Sequence, residues 1–196
     1  MSLFLETIRF ENYQAPLLAW HEQRLNETIR AHYGNAGYIS LAKLHPPDGR
    51  LYKCRVTYSS RIEKAEFTLY EERRIESLRL VFCDSIRYNY KYADRGELDR
   101  LYDERRGCDD VLIVRQGLVT DTSFANILFY KEGRWFTPAQ PLLAGVQRAF
   151  LISLGKIIPM PISWREIKQF QRFMLINAML PFDFSRSQGI DRIEFS

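Results

Sequence analysis

The chain has 196 residues, 46% of them apolar and 27% charged, with a formal net charge of +4. That content can bury a full core as one domain or two small ones, and it leaves no low-complexity or disordered stretch. Acids and bases are interspersed, as in EERRIE (71–76) and DRLYDERR (99–106); this suits a solvated surface and a small anionic substrate, not a nucleic-acid stripe, and charges keep every apolar run short of membrane-spanning length.

In chain order, Leu3–Phe10 alternates Leu3, Leu5, Thr7 and Arg9 against Phe4, Glu6, Ile8 and Phe10, a strand pattern. Glu6 inside this run argues against a signal peptide. Pro16 can open a helix whose apolar spacing runs through Leu18, Leu25 and Ile29, with Gly34 as its stop. Beyond Gly49, LYKCRVTYSS and AEFTLYEE read as strands, the second alternating cleanly, and LRLVFC as a third. These elements make an α+β N-terminal unit, residues 1–84. The second unit, residues 85–196, opens with a charged helix from Gly96 to Arg106 and the buried-strand candidate DDVLIVR. Gly117 marks a turn ahead of a second strand, ANILFY, and KEGR reads as a hairpin turn. A helix from Gly145 to Gly155 places Val146, Phe150 and Leu151 on one face; then come extended IIPMPI, a short WREIKQF helix, and the strand RFMLINAML entering a turn. No internal repeat is present. Cys54, Cys83 and Cys108 are odd in number and scattered, which predicts reduced thiols in a cytoplasmic protein.

Several chemistries have no support in the residues. His21, His32 and His45 lack metal-ligand spacing, there is no CxxC, and GxGxxG and P-loop patterns are missing. No serine or cysteine has a base that the sequence pairs with it. What stands out is the order of parts between Lys91 and Arg148. A lysine precedes a helix, then come a strand, a turn bearing Asp121, a second strand and a glycine-opened helix. Pyridoxal phosphate (PLP) chemistry needs an amine for a Schiff base, a carboxylate for the pyridine nitrogen and a helix start for the phosphate. By composition alone, Lys91 among Tyr88, Tyr90 and Tyr92 reads as a snorkelling surface lysine. Asp121 reads as an Asx-turn residue, Arg24 as a helical surface arginine pairing with Glu27, and Asn177 as an ordinary turn residue.

The run GLVTDTSFAN (117–126), Thr137-Pro138 and LAGVQR (143–148), placed after Lys91, resembles the class IV aminotransferase family of fold-type IV PLP enzymes, whose pattern is G-x-V-T-E-x-x-x-x-N, T-P and L-x-G-x-x-R. The resemblance implies an α+β fold of two subdomains, D-amino acid aminotransferase-like, with the cofactor in the cleft between them. It implies that Lys91 forms the Schiff base and afterwards moves protons, and that Asp121 stands where the family generally has a glutamate facing the ring nitrogen. H-x-x-R-L at His21–Leu25 resembles the family's phosphate-binding arginine, here Arg24. The N–H groups of Val146 and Gln147 at a helix start would hold the same phosphate, with Asn177 at a late turn as a further contact. It also implies a homodimer.

Within the family, NAMLPF (177–182) is similar to the corresponding turn of the 4-amino-4-deoxychorismate lyase branch. That implies release of p-aminobenzoate and pyruvate from a small anionic amine. An aminotransferase acting on branched-chain or D-amino acids would use the same groups. A non-catalytic PLP-binding relative is the third reading, drawn from the aspartate at 121 and from a short first half that keeps only LETIR of the family's G-D-G-x-F-E run.

Overall fold

The computed structural model describes residues 2–34 and 37–195. They form two compact units. One holds the chain up to Glu72 together with Tyr90–Asp94; the other holds Arg73–Asn89 and the chain from Arg95 onward.

In the first unit, β1 (Phe4–Phe10) runs antiparallel to β2 (Tyr52–Tyr58) in full register, and β2 pairs with β3 (Ile62–Leu69). The alternation read in β1 is the one that forms: Phe4, Glu6, Ile8 and Phe10 are all buried. Three of these join Leu25 and Ile29 of α1 (Leu18–Tyr33) and Cys54, Val56 and Tyr58 of β2 in one apolar core. The helix starts two residues after Pro16, which lies in the turn closed by Leu18 N–H to Ala15 O at 3.0 Å. It stops at Gly34, whose φ of +74° suits a residue without Cβ. The clean alternation expected of β3 does not produce a buried face. Only Ile62 and Phe67 are half-buried, and Glu63, Lys64 and Glu66 leave the strand as a charged sheet edge. Lys91 lies along the opposite edge. Leu5 N–H donates to Lys91 O at 2.8 Å, Ala93 N–H donates to Leu3 O at 2.8 Å, and Tyr92 bridges Phe4, so residues 91–93 extend the sheet beyond β1.

In the second unit, β4 (Leu78–Phe82) lies parallel to β5 (Asp110–Arg115), with α2 (Gly96–Asp103) between them in sequence. Antiparallel pairings then lead from β5 to β6 (Leu118–Thr122), to β7 (Asn126–Lys131) and to both β8 (Arg134–Pro138) and β10 (Arg172–Ile176). The helix α3 (Val146–Ser153) and β9 (Ile158–Met160), which pairs with β8, come before β10 in sequence. Short strands β11 (Gln188–Gly189) and β12 (Ile193–Glu194) close the two ends of the sheet. Leu80, Leu112, Val114, Ile127, Phe129, Ile167 and Phe173 supply its core.

Three further expectations change. The boundary at 84/85 fails because β4 finds its hydrogen-bond partners in β5 and β12, so the second unit begins at Arg73, while Tyr90–Asp94 returns to the first. Asp121 lies on a strand, not on a turn. Gln116 (φ 52°) and Gly117 (φ 76°) reverse the chain in two residues, and pairing resumes at Leu118. Glu132 (φ 49°) and Gly133 (φ 78°) do the same for the KEGR turn. The face expected of α3 also differs, since Arg148 is buried and Phe150 only half-buried. Among the described residues, no helix is long and apolar enough to cross a membrane.

Candidate active site

Two groups of candidate residues stand out, one in each unit. In the first, Glu6 is 0% exposed on the core face of β1. It accepts from Arg24 Nε at 2.9 Å and Nη2 at 2.5 Å, and lies 2.6 Å from His21 Nδ1. Burial pushes the carboxyl up, but the charge of Arg24 and the hydrogen bond from His21 more than reverse this and hold it at about 2. Burial holds His21 below the ordinary imidazole value, with Arg24 and Lys91 adding to the effect against Glu6. Its Nε2 is buried without a hydrogen-bond partner among the described residues. Arg24 is therefore neither a free surface arginine nor a partner of Glu27, which accepts from Gln23 instead. Lys91 is half-buried, and its carbonyl accepts from the N–H of Leu5, the residue before Glu6 on β1. Tyr90 and Tyr92 pack around Phe4 and His32, where they hold the strip in place.

In the second unit, Asp121 is 5% exposed. Its Oδ1 accepts from Asn126 Nδ2 at 2.8 Å and its Oδ2 from Leu143 N–H at 2.9 Å. Burial pushes its pKa up to about 6 in spite of these donors. Asn126 Nδ2 also donates to Leu143 O at 2.9 Å, so one side chain joins the strand carrying Asp121 to the segment that opens α3. Gly145 is required there, because a Cβ would come within 2.0 Å of Asn126 Oδ1. Gly145 is the N-cap of α3 and no side chain caps the helix. Val146 and Gln147, both buried, thus begin a helix whose first N–H groups point at no protein acceptor from a capping side chain. Arg148, ending the same motif, donates to Thr137 Oγ1 at 3.3 Å and Pro138 O at 2.8 Å. The Thr-Pro pair and the arginine are one structural clasp.

Asn177 stands apart from this network. Its Oδ1 accepts from Met179 N–H at 2.8 Å and Leu180 N–H at 2.9 Å, which makes it the residue that closes its own turn. Its Nδ2 reaches Phe124 O at 3.4 Å, on the turn following β6. Sequence reasoning passed over Glu6, His21 and Asn126. The signal for Glu6 was one acid on the otherwise apolar face of a strand; Asn126 was visible only as a motif letter. Among the described residues, no group of His, Cys, Asp and Glu could hold a metal ion.

A family model described as amino-transferase class IV matches residues 34–182. An uncharacterised protein of Haemophilus influenzae is 33% identical over 180 residues, covering 89% of this chain and 96% of its own. The crystal structure of a Haemophilus somnus protein, provisionally named a 4-amino-4-deoxychorismate lyase, is 33% identical with a TM-score of 0.87, covering 93% of this chain and 98% of that one. This chain matches nearly the full length of both relatives. An aminotransferase from Brucella abortus, solved with PLP bound, has a TM-score of 0.68 at 18% identity, over 97% of this chain and 81% of that one. The chain belongs to the class IV aminotransferase family, has the fold-type IV architecture, and is an enzyme of that type.

Proposed function

We propose that the chain is a PLP-dependent lyase that converts 4-amino-4-deoxychorismate to p-aminobenzoate and pyruvate. The observation that carries this reading is the similarity to the Haemophilus somnus protein across almost the whole of both chains. NAMLPF and its Asn177-centred turn add to it.

The residues fit the cofactor. A buried carboxylate at Asp121 offers a partner for a ring nitrogen, and the uncapped start of α3 offers N–H groups for a phosphate. Arg24 has its guanidinium plane set by Glu6, as planar recognition of a phosphate requires. PLP, when bound, supplies an aldehyde for amines and a ring that withdraws electrons from the carbon bearing nitrogen. Lys91 Nζ would hold that aldehyde until the substrate amine takes its place, and the freed amine would then be positioned to take the proton from the substrate carbon that carries nitrogen. Asp121, poised near 6 by burial, would hold a proton on the ring nitrogen. Asn126 and Leu143 N–H orient the carboxylate of this side chain, which is one methylene shorter than glutamate. We further propose a homodimer, the family's habit, to be checked by sedimentation at assay concentration.

The test feeds the PLP-loaded protein 4-amino-4-deoxychorismate alone, or an amino acid panel with 2-oxoglutarate or pyruvate. A lyase yields p-aminobenzoate in the first tube and needs no 2-oxo acid. Turnover in the second tube only would replace this reading with an aminotransferase. With neither active, and a borohydride-fixed pyridoxyl group still mapping to Lys91, the chain would be a non-catalytic relative.

A further inference from the structure

The second unit contains a recess of about 540 Å³ lined by Arg87, Asn89, Arg115, Gln116, Pro141, Leu142 and Ala144. Its volume lies in the range of small-molecule sites. Arg115 is half-buried at the end of β5 and makes no ion pair or side-chain hydrogen bond among the described residues. Arg87 is held by Nη1, which donates to the carbonyls of Asp84, Ser85 and Ile86 at 3.1 to 3.2 Å, and no carboxylate pairs with it. Two nearby acids face the backbone: Asp84 accepts from Gln116 N–H at 2.6 Å and Glu97 from Arg87 N–H at 3.5 Å. Two guanidinium groups and two primary amides therefore line one concavity, and no Asp or Glu is among its lining residues. The wall is Leu142 and Ala144, the residues on either side of Leu143, whose N–H holds Asp121.

We propose that this recess binds a small carboxylate between Arg87 and Arg115, with the Asn89 and Gln116 amides beside it. The chemistry of the recess carries this without the functional reading above. Guanidinium groups suit a planar carboxylate, which takes two parallel N–H bonds. A ligand held here would have its acid group against the segment that fixes Asp121.

The test uses the purified, PLP-supplemented protein and measures benzoate binding by NMR, with benzamide as the neutral isostere. Benzoate is expected to shift resonances of residues 87–89, 115–116 and 141–144, and benzamide is not. Arg115→Gln should weaken benzoate at least tenfold at an unchanged unfolding midpoint, and the Arg87→Gln/Arg115→Gln pair further, with binding measured below the midpoint of each variant because Arg87 also holds three carbonyls of its own loop. Equal binding of benzoate and benzamide, or benzoate affinity unchanged in the double variant, would overturn the proposal. Borohydride labelling of Lys91 is followed in the same samples. Loss of that label with benzoate binding intact would remove the PLP reading and uphold the recess.

Discussion

Gly145→Ala is the sharpest probe of how the two halves of the family motif are joined. The backbone at this position is extended (φ −67°, ψ 143°), so alanine meets no conformational penalty of its own. The penalty is contact. The new methyl would sit 2.0 Å from Asn126 Oδ1, and the oxygen must withdraw by more than about 1 Å to reach van der Waals distance. Because the amide is planar and rigid, the same movement carries Nδ2 away from Asp121 Oδ1 and from Leu143 O. One charge-assisted bond at roughly 1.5–3 kcal/mol and one neutral bond at about 1 kcal/mol are weakened together, and overpacking adds about 1–3 kcal/mol. The expected loss of stability is about 3–5 kcal/mol by urea unfolding, large against the marginal stability of a domain. A double-mutant cycle isolates the cause. In an Asn126→Ala background the clash partner is gone, and Gly145→Ala should cost less than about 1 kcal/mol, giving a coupling of at least about 2 kcal/mol. A cost under about 1 kcal/mol in the parent, or the same cost in both backgrounds, would refute the reasoning.

Glu6→Gln should destabilise the protein at neutral pH by about 2–4 kcal/mol, since Arg24 and His21 lose a buried charge. Glu6 is held below the ordinary carboxylate value, so its contribution is complete above about pH 4.5 and disappears toward about pH 2; the gap between parent and variant should narrow over that window, and a constant gap would contradict the assignment. Arg24→Ala should weaken PLP binding by roughly 2–3 kcal/mol in a fluorescence titration, and unchanged affinity would make the Glu6 pair purely structural. Asp121→Asn should retain PLP, seen by absorbance, while turnover falls by orders of magnitude; parent-like turnover would exclude a role at the ring nitrogen.

Much of the fold was legible because its signals are local. The two-residue turns at Gln116-Gly117 and Glu132-Gly133 and the stop at Gly34 all depend on positive φ, which composition announces. β6 was missed because its inner residues Thr120, Asp121 and Thr122 are polar and yet buried, satisfied by Ile113 O, by Asn126 with Leu143, and by Ala125 O respectively. A reading keyed to apolar periodicity sees a turn there. The placement of β4 was illegible for another reason: its parallel partner β5 lies beyond α2, and no short-range pattern encodes such a pairing. The candidate site divides in the same way. Its motif residues were visible as letters, but the bonds from Asn126 and Arg148 that join the letters cross 10 to 17 positions of sequence.

The strip at Tyr90–Asp94, enclosed in sequence by the second unit yet paired to β1, has a consequence for how such a protein can be recombined. No single crossover point separates the two units. A chimera joined at residue 84 would import β4 without β5 and β12, and would match one parent's β1 to the other's Lys91 strand. Parental segments must instead be exchanged as an interleaved set, up to Glu72 together with 90–94. The lysine strand is thereby inherited with β1 rather than with the helix that follows it in sequence.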